Sequence, residues 1–187
     1  MQNLVAHGAT VLLAFVVVPV WLMAGFADYF CHRASNIERT SGTPESLMHL
    51  AQFGLVGTPL LIVLFFRVDA GVLLVLAVFA VAHHCLAYAD LRYATGKREI
   101  TPIEQMVHSF LELLPVTAWL LLAALHFDQL QALRSGSVDL TFEIEPRPMA
   151  YVVAVLAGAS LIGLVPYLEE LRRCLRYARV RSVRTSQ

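Results

Sequence analysis

Charge is scarce in this chain. Of its 187 residues only 15% are Asp, Glu, Lys or Arg, whereas 58% are hydrophobic and the mean hydropathy is +0.65. Soluble domains sit nearer half apolar, so the shortage argues against a water-exposed globule and for a bilayer. Cysteine is sparse too. Cys31, Cys85 and Cys174 form no C-x-x-C pair and fall near one, reducing side of the expected topology, which argues against a disulfide framework. No GxSxG, P-loop or dinucleotide fingerprint occurs, so any redox chemistry needs an external electron donor. The first apolar segment lacks a charged n-region and a small-residue cleavage site, and it carries Asp28; it reads as a retained helix.

Five segments are long and apolar enough to span: Thr10 to Phe30, Ser46 to Phe66, Gly71 to Ala89, Ile103 to Leu125 and Met149 to Leu168. Each is close to the ~20 residues needed to cross about 30 Å of hydrocarbon. The fold class expected is therefore all-α and polytopic. Net charge is zero, but its distribution is lopsided. With the N-terminus outside and the C-terminus cytoplasmic, eleven of the fourteen basic residues fall inside, and only Arg67, Arg134 and Arg147 fall outside. This satisfies the positive-inside rule and suggests a bacterial inner (plasma) membrane. The Arg-rich tail, residues 169–187, reads as a topology anchor that touches membrane lipids, with no nucleic-acid role.

Two stretches repeat. "TPESLMH" starts at Thr43 and "TPIEQMVH" at Thr101, and each sets a glutamate four residues before a histidine at the start of an apolar segment. Residues 10–66 thus read as a first copy of 71–125, two parallel helix pairs forming a four-helix bundle. The outer loop, 127–148, contains a period-two stretch from Val138 to Glu145 that suggests an extended segment. The fifth helix, 149–168, has no ionisable residue before Glu169 and is expected to brace the bundle, with Gly158 and Gly163 permitting close contact.

Ionisable side chains inside a bilayer cost several kcal/mol each and default to function. The first four helices carry ten: Asp28, His32, Glu45, His49, His83, His84, Asp90, Glu104, His108 and Glu112, all in the same half of the membrane. Asp28/His32, Glu45/His49 and Glu104/His108 are i,i+4 pairs on one helix face each. His83 and Asp90 also share a face, with His84 about 100° round. Glu112 continues the Glu104/His108 stripe to roughly the depth of His83 and His84, at ~1.5 Å per residue. Thr101-x-x-Glu104 also reads as a capping box, and Glu45 suits a helix N-terminus, so neither glutamate signals metal by itself. Together the set offers Asp28, His32, Glu45, His49, His83, His84, Asp90, Glu104 and His108 as ligands for two metal ions. Histidine and carboxylate without thiolate suits iron, with zinc or manganese as alternatives. Glu112 and Tyr88 are candidate catalytic groups, and Tyr29 and Tyr93 could also relay protons.

The His-His of "VAHHC" near the cytoplasmic end resembles the histidine clusters of integral-membrane desaturases and fatty-acid hydroxylases. The carboxylate–histidine pairs on four helices resemble those of ferritin-like di-iron proteins. The likeness is one of arrangement: "ESLMH" and "EQMVH" put Glu where the membrane families put His. It implies an oxygen-activating di-iron oxygenase or oxidase, acting with O2 and an electron donor on a lipophilic or lipid substrate. Two alternatives stay open. One is a ceramidase-like zinc hydrolase, for which Ser46 and Ser109 adjoin candidate ligands; the other is a non-enzymatic metal- or proton-binding membrane protein.

Overall fold

The computed structural model describes residues 2–136 and 141–185. Five helices are long and apolar enough to cross a membrane: Leu4–Ala34, Thr43–Phe65, Ala70–Thr95, Pro102–Leu125 and Met149–Val183, here spans one to five. No β-strand occurs among the described residues, and the fold is all-α. Large apolar side chains such as Phe15, Val78, Val81 and Leu161 are more than half exposed around the outside. A soluble protein rarely tolerates so much exposed apolar surface, whereas lipid covers it without cost.

Local sequence explains the helix ends. Span three starts where the Asp69 carboxylate accepts the Val72 N–H at 2.7 Å. Span four starts where Thr101 Oγ1 accepts the Glu104 N–H, with Pro102 in the first turn, where its missing N–H costs nothing. Span two also starts with a proline, but Gly42 at φ 71° precedes it and no side chain caps it. Spans one and five each contain a π-helical turn, Leu13–Val17 and Ala159–Leu164. Both turns come just before a proline, Pro19 and Pro166. Each proline leaves the carbonyl four residues back without its usual donor, and the wider turn absorbs the mismatch.

Packing order differs from chain order. Span one packs on span four, four on three, three on two, two on the second half of span five, and five back on span one. The fifth span thus closes the ring between spans one and two. A Cβ built on Gly163 would lie 2.6 Å from Phe53 Cε2, so the absence of a side chain there sets how closely span five approaches span two. Span five also runs on well past Leu168, as helix to Thr185. The loops Ser35–Gly42 and 96–101 lie at the basic end of the bundle. At the far end Phe127–Ser135 forms a short helix rather than loop. Beyond it, the segment around Ile144 runs extended, with one bridge to Phe66 and with the Arg67 N–H donating to the Glu143 carbonyl. Val138 to Leu140 of the period-two stretch lie outside the described residues.

Candidate metal centre

Seven of the nine ligands named from the sequence converge at the basic end: Asp28, His32, Glu45, His49, Asp90, Glu104 and His108. All are buried except His108, whose side chain is 16% exposed. Their donor atoms form two groups that share no residue. In the first, from spans one and four, one atom each of Asp28, His32, Glu104 and His108 lies within 4.8 Å of the others. In the second, from spans two and three, the same holds for Glu45, His49 and Asp90.

An eighth residue organises both groups. Glu170 is fully buried, and its two carboxylate oxygens each lie 2.9 Å from an imidazole Nδ1, one of His32 and one of His49. An ionised carboxylate can only accept, so both rings donate from Nδ1. Their Nε2 lone pairs then point away from Glu170 into the two groups. The rings stack nearly parallel, with centroids 4.1 Å apart. A histidine fixed by a carboxylate on one nitrogen, with the other free, is the usual arrangement around metal ligands.

The free nitrogens meet oxygens without bonding to them. His32 Nε2 lies 3.4 Å from Asp28 Oδ1 and 3.7 Å from Glu104 Oε1, while His49 Nε2 lies 3.1 Å from Asp90 Oδ2 and 3.8 Å from Glu45 Oε1. His108 Nε2 also lies 3.0 Å from Asp28 Oδ1, yet His32 Nε2, His49 Nε2, Asp28 Oδ1 and Asp90 Oδ1 are buried with no hydrogen bond of good geometry among the described residues. Buried polar atoms are almost always satisfied, and leaving one bare costs about 1–3 kcal/mol.

Arg98 occupies the basic-end side of the cluster. Its guanidinium donates to Glu45 at 2.6 Å and to Glu104 at 2.9 Å, taking one carboxylate from each group. Burial disfavours its charge, but hydrogen bonds to Glu104 and Glu45 outweigh that and hold its pKa above the ordinary value. Glu104 is therefore more than a helix cap: Thr101 caps the backbone, and the Glu104 carboxylate turns inward. The cluster holds five buried carboxylates, those of Asp28, Glu45, Asp90, Glu104 and Glu170, and this one guanidinium, which contacts only Glu45 and Glu104. Four negative charges remain when the imidazoles are neutral, which is the charge two divalent cations would balance.

The remaining sequence candidates fall outside the two groups. His83 is buried, with neither ring nitrogen hydrogen-bonded among the described residues. It lines a cavity of about 50 Å³ together with Asp28, His49, Asp90, His108 and Glu112. Glu112 thus shares this cavity with His83, as their depths suggested. His84 turns away: its Nδ1 lies 2.8 Å from the Ala80 carbonyl of its own helix. Two adjacent helical residues diverge by about 100°, so only one of the pair can face the cavity. Tyr88 is 63% exposed, with Arg92 over its ring, and does not line the cavity. Tyr29 donates to Glu169, and Tyr93 donates to the Ser41 carbonyl. Ser46 is buried but does not line the cavity, and Ser109 is exposed and donates to the Gln105 carbonyl.

Sequence reasoning missed Glu170 and Arg98 as parts of the cluster. Glu170 had a readable signal: Tyr167, Glu170 and Cys174 recur at helical spacing, and all three are buried. No protein family, curated protein or solved structure matches this chain.

Proposed function

We propose that the protein is a membrane-embedded two-metal oxidoreductase that activates O2 to hydroxylate or desaturate a lipophilic substrate. What supports this reading is the set of buried, unpartnered lone-pair atoms, His32 Nε2, His49 Nε2, Asp28 Oδ1 and Asp90 Oδ1, aimed into two carboxylate-rich groups. A protonated hydrogen-bond network would align these atoms with one another; ligands to a cation converge without doing so. Asp28, His32, Glu104 and His108 would hold one ion, and Glu45, His49 and Asp90 the other. All-nitrogen-and-oxygen donors with this much carboxylate suit iron, or manganese, better than one tetrahedral zinc. When bound, the metal pair supplies O2 binding and reduction: for hydroxylation, one oxygen atom enters a C–H bond and the other leaves as water. The two electrons come from an external donor.

The chain's own groups prepare that chemistry. Glu170 holds both imidazoles in the ligating tautomer, and Arg98 offsets charge between the two glutamates. Glu112 faces the small cavity, where it can hold or release a proton. In the positive-inside orientation the centre lies near the cytoplasmic face, behind Arg98, on the side from which a soluble electron donor would approach. The serine placements described above leave a zinc hydrolase no serine at the cavity to assist a metal-bound water.

The test is metal analysis of protein purified in mild detergent, followed by O2 uptake after reduction. Two iron ions per chain and O2 consumption are expected. A single zinc per chain with no O2 uptake overturns the oxidoreductase reading, and a folded, metal-free protein with full cellular activity overturns any metal role.

A further inference from the structure

A second cavity, of about 220 Å³, lies in the far half of the bundle, and its wall is almost wholly aliphatic and aromatic. Leu13, Ala14, Leu76, Ala118 and Leu122 are representative lining residues. Several irregularities border it: the π turn Leu13–Val17, Pro59 inside span two and Pro115 inside span four. Each spoils regular helix packing, and close-packed interiors leave few voids of this size otherwise.

Two features give the cavity a direction. At one end Trp21 and Val56 line both it and the 50 Å³ cavity of the carboxylate–histidine cluster. The Trp21 ring, stacked on Phe53 at 6.4 Å, stands between the two spaces. At the opposite end the wall turns polar, with His126, Arg147 and Tyr151. An apolar void of ~150 Å³ holds benzene, so 220 Å³ scales to on the order of nine carbon atoms.

We infer that this cavity binds a straight-chain amphiphile end-on, its anionic head beside Arg147 and its chain terminus at Trp21, facing the cluster. The inference rests on the proposed oxidoreductase reading for its purpose, and it makes the oxidised position the end of the chain remote from the head. A chain entering head-first would bring a charge through an aliphatic void, at a cost of several kcal/mol, and would leave Arg147 at the wrong end.

The protein carries its own probes, because its two tryptophans, Trp21 and Trp119, both line this cavity and only Trp21 lines the other. Full-length protein in phosphatidylcholine nanodiscs is titrated with 10-bromodecanoate and, separately, 2-bromodecanoate. Trp119→Phe leaves Trp21 as reporter, and Trp21→Phe leaves Trp119. Saturable quenching is expected, with the terminal bromine quenching Trp21 at least twofold more than Trp119 and the 2-bromo isomer reversing that order. Ala14→Phe and Ala118→Phe, on different spans, fill the cavity and should each weaken saturable quenching at least tenfold while metal content stays unchanged. Retained metal certifies that these variants fold. No saturable quenching in metal-loaded protein, or terminal bromine favouring Trp119, overturns the inference and leaves the metal centre standing. The expected order in protein that binds no metal upholds the cavity and overturns the oxidoreductase reading alone.

Discussion

Each half of the cluster contains one copy of the repeated heptad, yet the halves are not alike. Spans one and four supply two carboxylates and two imidazoles, Asp28, Glu104, His32 and His108; spans two and three supply two carboxylates and one imidazole, Glu45, Asp90 and His49. His108 Nε2 lies 3.0 Å from Asp28 Oδ1. Its heptad counterpart His49 makes the matching contact, Nε2 to Asp90 Oδ2 at 3.1 Å, and Gln52 adds an amide donor to Asp90 at 2.9 Å; what the second half lacks is a counterpart of His32. His83, the remaining imidazole near that half, stays in the cavity outside the donor group. One half is thus richer in nitrogen donors, and the other relies on a held carboxylate. Ligand number sets affinity, so the first half should retain an ion against a chelator that strips the second.

The largest effect is expected where the halves meet. In Glu170→Gln the amide oxygen can still accept from one Nδ1–H, but the amide NH2 faces the other ring. That ring must then become an acceptor at Nδ1 and carry its proton on Nε2, where it can no longer ligate. Loss of such an orienting partner costs about 10–100-fold in metal affinity. Here it should empty at least one half and weaken the other, read as metal per chain after dialysis. Glu169→Gln, at a side chain 41% exposed, should retain both ions. Equal retention by the two variants would mean that Glu170 does not orient the ligands.

Arg98 tests whether the halves share one charge balance. Its side chain is 3% exposed and binds Glu45 of one half and Glu104 of the other. Removing one partner of a buried ion pair leaves an uncompensated charge and costs about 3–5 kcal/mol. Arg98→Ala should therefore destabilise the metal-free protein by about that amount in denaturant unfolding. The loss should shrink when metal is present, because the bound cations supply the missing charge. An identical loss with and without metal would make Arg98 a purely structural clamp.

How much of this was legible depends on what each signal measures. The i,i+4 pairs were readable because helical geometry alone puts Asp28 with His32, Glu45 with His49 and Glu104 with His108. Glu170 was hidden by a hydropathy boundary: the apolar run ends at Leu168, but the helix continues amphipathically to Thr185. Arg98 sat in a basic loop whose charges were explained by topology, and only the folded chain shows that its guanidinium turns inward. His83 and His84 could not be separated by sequence, because one residue of rotation decides which faces the cavity. The π turns at Leu13–Val17 and Ala159–Leu164 are traceable to Pro19 and Pro166, yet nothing in a linear pattern tells a π turn from a kink. The far-half cavity was not legible at all, since a void depends on how five helices fail to fill space together.

The smallest effect should fall on one half only. Gln52 touches Asp90 and no other member of the cluster by hydrogen bond. Gln52→Leu keeps a similar volume but removes the donor that holds the Asp90 carboxylate in place. A hydrogen bond to a charged group is worth about 1.5–3 kcal/mol, and part of that returns when Asp90 ligates a cation instead. The expected result is about a tenfold weaker second site, the low end for loss of an outer partner, with the first site unchanged. Chelator competition followed by metal counting separates the two: one ion should leave earlier than in the unaltered protein and the other at the same chelator concentration. If both ions leave together, the two groups behave as a single coupled centre, and the distinction between a four-donor and a three-donor half has no consequence for binding.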